Sequence, residues 1–180
     1  MDHFENIVRL LLESEGYWVQ SSFKVNLTKE EKSQTGKPTI PRPEIDLIAY
    51  KPNANEILAI EVKSFFDSGG VNLKSLTEKH KLAKGKYKLF TTMNYRNIVF
   101  GRLKTDLFNQ GLVIEQPTIR LGLVAGNVKK ADTESISSFM KSSGYFYWSP
   151  TLVRQKVERL SKTSYENEAI YIAAKILLRH

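Results

Sequence analysis

Three charged side chains stand inside two runs that otherwise read as buried strand: Asp46 in "EIDLIAYK", and Glu61 and Lys63 in "EILAIEVK". The "PNAN" between the runs, with its proline and asparagines, is a turn signal. Closing the runs as an antiparallel hairpin on that turn sets Lys51 across from Glu56, an opposite-charge pair that supports the register. The same register sets Asp46 across from Glu61, and Glu44 across from Lys63. Side chains alternate along a strand, so Glu44, Asp46, Glu61 and Lys63 share one face. Two directly opposed carboxylates destabilise a hairpin, and burying either one unpaired costs more. A divalent cation between Asp46 and Glu61 resolves both problems, because hard cations such as magnesium take oxygen ligands from one or two carboxylates and keep waters for chemistry. Lys63, one pleat away, then stands where it can orient or activate a water, or stabilise charge developing on a phosphate. Two other readings stay open. The carboxylates could lie at a solvated sheet end, with Glu44 and Lys63 an ordinary cross-strand ion pair, or a bulge could shift the register and separate them.

The elements that must hold these residues follow from hydrophobic periodicity. Phe4, Ile7, Val8, Leu11 and Leu12 recur at helical spacing, which predicts a helix over residues 2–15 closed by Gly16. Residues 17–27 then read as a strand. Residues 28–41, polar with Gly and Pro, read as a surface loop or strand extension. The two runs around "PNAN" are rich in aliphatic residues on both faces, as expected of central strands covered by helices on each side. The segment 66–72 is a loop, 72–88 is ambiguous, and Ile98, Val99, Leu103 and Leu107 predict a helix over 94–110 with Gly111 as its stop. A strand follows at 118–128, then a helix near 132–142. Ser149 and Pro150 open another helix as cap and first residue, and a last one begins near 165. The chain contains no repeat and no low-complexity tract. Its 180 residues suit one domain with a small appendage: an α/β core over 1–128 with a helical C-terminal extension, 129–180, packed on it.

Charge is concentrated. The chain carries 27 Lys+Arg against 19 Asp+Glu, a formal net charge of +8. Between Val71 and Thr105 nine basic residues meet one acid, so this stretch accounts for the whole excess. Such a stripe suits a polyanion, nucleic acid above all, although a lysine-rich solvated face has the same composition. There is no cysteine, which excludes disulfides, a thiolate zinc site and a cysteine nucleophile and fits a reducing compartment. The acidic N-terminus is no signal peptide, and no run approaches the roughly 20 apolar residues of a membrane span, so a soluble cytoplasmic protein without a membrane partner is expected. His3, His80 and His180 are dispersed, against a zinc site. "SGG" at 68–70 lacks the context of a phosphate loop, and no serine has the setting of an esterase nucleophile.

The pattern "EIDLIAY" followed by "LAIEVK" resembles the PD-(D/E)XK nuclease superfamily, in particular its small bacterial, Holliday-junction-resolvase-like members. Asp46 matches the acidic residue of the first motif and Glu61-Val62-Lys63 the E-x-K, while the motif's proline is displaced to Pro43. The resemblance covers residues 1 to about 128. It implies a restriction-endonuclease-like fold, an αβββαβ core with a mixed central sheet flanked by helices, and hydrolysis of DNA phosphodiesters with Mg2+, for which Mn2+ can substitute. It further implies that Asp46, Glu61 and the Val62 carbonyl hold the ion and that Lys63 positions and deprotonates the attacking water. "FENIVRLLLESEGY" looks like the first-helix context in which relatives carry a further metal-shell glutamate, which nominates Glu5. Asp2-x-x-Glu5 is equally a capping box. On this reading Lys74, Lys79, Lys81, Lys84, Lys86, Lys88 and Arg96 contact DNA phosphates, with Lys24, Lys37 and Arg42 extending the track.

The tail admits several readings. Leu152, Val153, Val157 and Leu160 fall on one side of a helix that either packs on the core, or pairs two copies into a homodimer, or adds DNA contacts in a helix-turn-helix-like element. The aromatic run Tyr145 to Trp148 either anchors packing or stacks bases; packing is expected for both. The function expected is that of a DNA nuclease of repair, recombination or defence. The alternatives are a catalytically silent binding module with the same fold and a site-specific restriction enzyme.

Overall fold

The computed structural model describes residues 2–178. Helix α1 (His3–Ser14) buries Phe4, Val8, Leu11 and Leu12 on one stripe, and Asp2 and Glu5 close its first turn as a reciprocal capping box. Gly16, at φ +82°, turns the chain out of the helix. Strands β1 (Trp18–Lys24), β2 (Glu44–Lys51) and β3 (Glu56–Lys63) form an antiparallel meander. After α3 (Leu73–Thr77), α4 (Lys88–Thr91) and the long α5 (Met93–Asn109), strand β4 (Thr118–Ala125) returns parallel to β3. The fold is α/β, with one five-stranded mixed sheet in the order β1-β2-β3-β4-β5.

Both faces of the sheet are covered. Leu47, Ala49, Leu58, Ile60 and Val62 pack with α1 on one face, and Ile48, Tyr50, Ile57 and Ala59 pack with Val99, Leu103 and Leu107 of α5 on the other. Strand β3, central in the sheet and apolar on both sides, is therefore a dry place for Glu61 and Lys63.

The structure departs from the sequence expectations in two elements. Within 28–41, read as a loop, residues Lys29–Gln34 form helix α2. It buries nothing and so has no apolar stripe, but Thr28 and Glu31 cap it reciprocally, and Glu31 takes the Arg102 guanidinium of α5 at 2.9 Å. The T-x-x-E spacing was the available signal. In the tail, Phe146–Trp148 is a strand, β5, parallel to β4, between α6 (Thr133–Ser142) and α7 (Pro150–Leu160). The segment after 128 therefore extends the sheet as well as covering it. Ile136 and Met140 join one hydrophobic cluster, and Trp148, Val153, Leu160 and Ala174 join the other. The last helix, α8, spans Ala169–Leu178. Among the described residues no helix is long and apolar enough to cross a membrane.

Gly122 of β4 makes the attachment of β5 testable. A Cβ there would lie 3.0 Å from the Phe146 ring and 3.3 Å from Ile60. Gly122→Val is expected to cost about 1–3 kcal/mol, read as a lower urea midpoint. An unchanged midpoint would mean that residues 146–148 do not lie against β4.

Candidate active site

The hairpin keeps the expected register from Lys51–Glu56 as far as Leu47–Ile60, and there the ladder ends. In place of a further backbone bond, the Asp46 carboxylate accepts the Val62 amide at 2.8 Å. The opposite edge of β2 is interrupted at the same point. Pairing with β1 passes from Ser21–Leu47 to Phe23–Ile45 and omits Ser22, whose φ is +52°. Leu47 and Ile45, two positions apart, fall in opposite hydrophobic clusters, so the alternation of side chains is reset at Asp46. This break separates Asp46 and Glu61 as a ladder pair without separating their carboxylates from a shared partner. Glu44, expected opposite Lys63, instead lies 3.9 Å from Lys24 of β1.

That partner is Lys63. Its Nζ stands 2.6 Å from Glu61 Oε1 and 3.2 Å from Asp46 Oδ2, and donates to the Val62 carbonyl at 3.1 Å. Three oxygens thus converge on one cationic nitrogen. All three side chains are largely withdrawn from solvent, at 14–21% exposure. Burial pushes the Glu61 carboxyl up to about 7, the Asp46 charge adds to the rise, and Lys63 offsets only part of it. For Lys63, burial favours the neutral amine, but the charges of Glu61 and Asp46 outweigh it and hold the ammonium above its ordinary range. Glu5 is raised by burial and then by the Asp46 charge, against the Asp2 amide that it accepts. It therefore both caps α1 and feels the site electrostatically. Tyr87 and Tyr95 are pushed up to about 12, chiefly by burial, and stay protonated donors. The Tyr87 hydroxyl is buried without a hydrogen-bond partner among the described residues.

The cluster lies in a cleft of about 500 Å³ whose wall includes Arg42, Phe65, Lys86, Lys88 and Tyr95. A second cleft of about 580 Å³, with Lys37 and Lys84, shares Pro41, Gly85 and Lys88 with it. Of the basic residues singled out in the sequence, Lys84, Lys86 and Lys88 therefore lie beside the site. Lys74, Lys79 and Lys81 are exposed but line neither cleft. Arg96 is half-buried and turned to a structural task. It donates to the Leu89 carbonyl and to the Tyr145 hydroxyl at 2.6 Å, with its guanidinium 5.6 Å from the Tyr145 ring centre. Arg42 and Lys37, secondary in the sequence reading, are the basic residues that the 28–43 segment brings to the clefts. Tyr87 and Tyr95 carried no separate signal, since buried tyrosines read as core. His3 and His80 do not line the cleft, and His180 lies outside the described residues.

The donor set fits a hard divalent cation: two carboxylates and a carbonyl, all oxygen, around a point now taken by a positive charge. Among the described residues no group of three or more His, Cys, Asp or Glu side chains gathers there, so a cation would depend on two carboxylates, the carbonyl and water. No family model matches the chain, and neither does any curated protein or solved structure.

The raised Glu61 has a consequence for stability. Its folded value, about 7, exceeds the ordinary 4.5, so between these values the folded protein holds a proton that the unfolded chain releases. The contribution is complete below 4.5 and is lost as pH rises through 7. In chelator-treated protein, unfolding free energy from urea melts should fall across this window by at most about 1.4 kcal/mol per pH unit. Glu61→Gln should flatten the profile, and an unchanged slope in that variant would remove Glu61 as its source.

Proposed function

We propose that this protein is a metal-dependent nuclease that hydrolyses DNA phosphodiester bonds, with a restriction-endonuclease-like core of the PD-(D/E)XK kind, serving repair, recombination or defence. The observation that carries the reading is the convergence of the Asp46 and Glu61 carboxylates and the Val62 carbonyl on the Lys63 ammonium, in a cleft walled by Arg42, Lys86 and Lys88. The order of α1, β1 to β3, α5 and β4 agrees with the helix, three strands, helix and strand that the resemblance implies.

Asp46, Glu61 and the Val62 carbonyl would hold Mg2+ or Mn2+; Glu5 is engaged in the α1 capping box and does not line the cleft, so a second ion would require it to join the site. The bound ion supplies Lewis-acid polarisation of the phosphate and acidifies a bound water. The remaining work belongs to the chain. The Val62 amide fixes the Asp46 carboxylate, so one oxygen stays oriented while the other is available. The charges of Glu61 and Asp46 favour the ammonium form of Lys63, which is suited to steadying a water and the charge that grows on the phosphate. Neutralising the two carboxylates removes what retains its proton; burial then favours the amine, and Lys63 can accept a proton from the attacking water. Lys86, Lys88 and Arg42 face backbone phosphates and give affinity without sequence. The alternative, a silent DNA-binding module, draws on the fact that Lys63 already pairs both carboxylates.

The test is Mg2+- and Mn2+-dependent cleavage of labelled single-stranded, duplex, flap and four-way-junction DNA. Asp46→Ala and Lys63→Ala should each lower the rate at least about a hundredfold. Salt-sensitive binding without cleavage of any substrate would favour the silent module. Lys86→Ala should weaken binding to all sequences alike and reduce the slope of log affinity against log salt by about one; an unaltered slope would take Lys86 off the DNA path.

A further inference from the structure

Directly after Lys63 the chain turns through Phe65 and Phe66, and the two rings serve different cavities. Phe65, in the left-handed region at φ +48°, lines the basic cleft, with the Lys86 ammonium 5.2 Å from its ring centre. Phe66 lines a separate cavity of about 390 Å³, together with Phe4, Gly126, Pro150 and Arg154. Phe66 is 63% exposed, yet it does not sit on a loose loop. Asn127 donates to the carbonyls of Phe65 and Ser68 at 3.1 and 2.9 Å, and the Ser68 amide donates to the Phe65 carbonyl at 3.2 Å. The Phe66 ring meets Phe4 edge to face at 5.2 Å. It also lies so close to Gly126 that a Cβ there would come within 2.8 Å of it. Phe65 packs in part against the core, whereas Phe66 is a large apolar ring held in place while left mostly in water, which costs free energy.

The cavity adjoins the candidate active site through the backbone: the Gly126 amide donates to the Lys63 carbonyl at 2.8 Å. Its other wall carries Arg154, exposed and without a hydrogen-bond or ion-pair partner among the described residues. An immobilised aromatic face beside an unpaired guanidinium is the chemistry that holds a nucleotide, the ring stacking on the base and the cation meeting its phosphate. A base inside a duplex is stacked on both faces and offers neither to a side chain, so an occupant away from a duplex end is an unpaired one.

We propose that the Phe66 cavity is a subsite for an unpaired nucleobase of the bound DNA strand, stacked on Phe66 with its phosphate on Arg154, next to the phosphate that Lys63 faces. The inference rests on the nuclease reading for its substrate, and it gives that substrate a feature: an unpaired nucleotide beside the scissile bond. Phe65 and Phe66 then mark the point where the strand passes from the basic cleft to the stacking cavity.

The experiment measures binding in chelator, where no cleavage occurs, using an oligonucleotide that carries 2-aminopurine in an unpaired overhang and a blunt duplex of the same sequence. Wild type should quench the 2-aminopurine. Phe66→Ala should lose the quench and about tenfold in affinity for the overhang while binding the blunt duplex as wild type does, and Phe66→Trp should restore both. Arg154→Ala should weaken overhang binding and leave part of the quench. Overhang affinity unchanged in Phe66→Ala, an equal loss on both DNAs, or no binding of either DNA by wild type would overturn the proposal. Cleavage with added Mg2+ separates the two readings. Quenching without cleavage supports the subsite while the hydrolase fails, and cleavage with an unaffected Phe66→Ala leaves the hydrolase standing without the subsite.

Discussion

The hydrogen bond from the Val62 amide to the Asp46 carboxylate is the contact on which the arrangement of the site depends. A central strand buried on both faces has to satisfy each backbone donor, and β3 loses its ladder partner just past Ile60. A side-chain oxygen of β2 makes up the loss. Because a carboxylate does so, a negative charge is drawn into the sheet and its neighbours answer it: an ammonium from the next outward residue of β3, and a second carboxylate pushed toward neutrality by burial first and by this charge in addition. The omitted pairing at Ser22, with its left-handed backbone, is the matching adjustment on the outer strand.

The site is under-neutralised. Asp46 and Glu61 share one Lys63, and the protein meets the deficit by letting Glu61 rise rather than by adding a second close cation. A group so poised responds to whatever positive charge enters the cleft. The long basic side chains do not neutralise the pair at contact distance; Lys88 is felt by Glu61 only weakly. They remain available to phosphates.

How much of this was legible in the sequence differs from residue to residue. The Lys51–Glu56 pair gave the hairpin register, because opposite charges flanking a turn constrain it, and the register in turn brought Asp46, Glu61 and Lys63 together. A break near Asp46 was open in the sequence as a bulge, but its place was not legible, since it goes with a backbone conformation at Ser22, in another strand, that no local pattern announces. Glu44 went to Lys24 because β1, absent from a hairpin-only reading, lies on that side. Helix α2 lacks the apolar stripe that periodicity detects, and β5 is too short for alternation to register, its aromatics reading as mere packing. Arg96 shows the limit of counting charge. In a basic stripe every cation looks available, but a planar guanidinium beside a tyrosine ring and a helix-end carbonyl finds partners inside the protein.

The two kinds of strand pairing in the sheet also set the order in which the site can assemble. The meander from β1 to β3 closes through near neighbours, whereas β4 has to return across the whole of α3 to α5 before it pairs, and chain entropy favours the shorter closures. This topology favours bringing Asp46 and Glu61 near each other before α5 covers their face, and in that order water and dissolved ions screen their repulsion until the crossover docks. The electrostatic cost of the site then falls on the step that also builds the cleft wall.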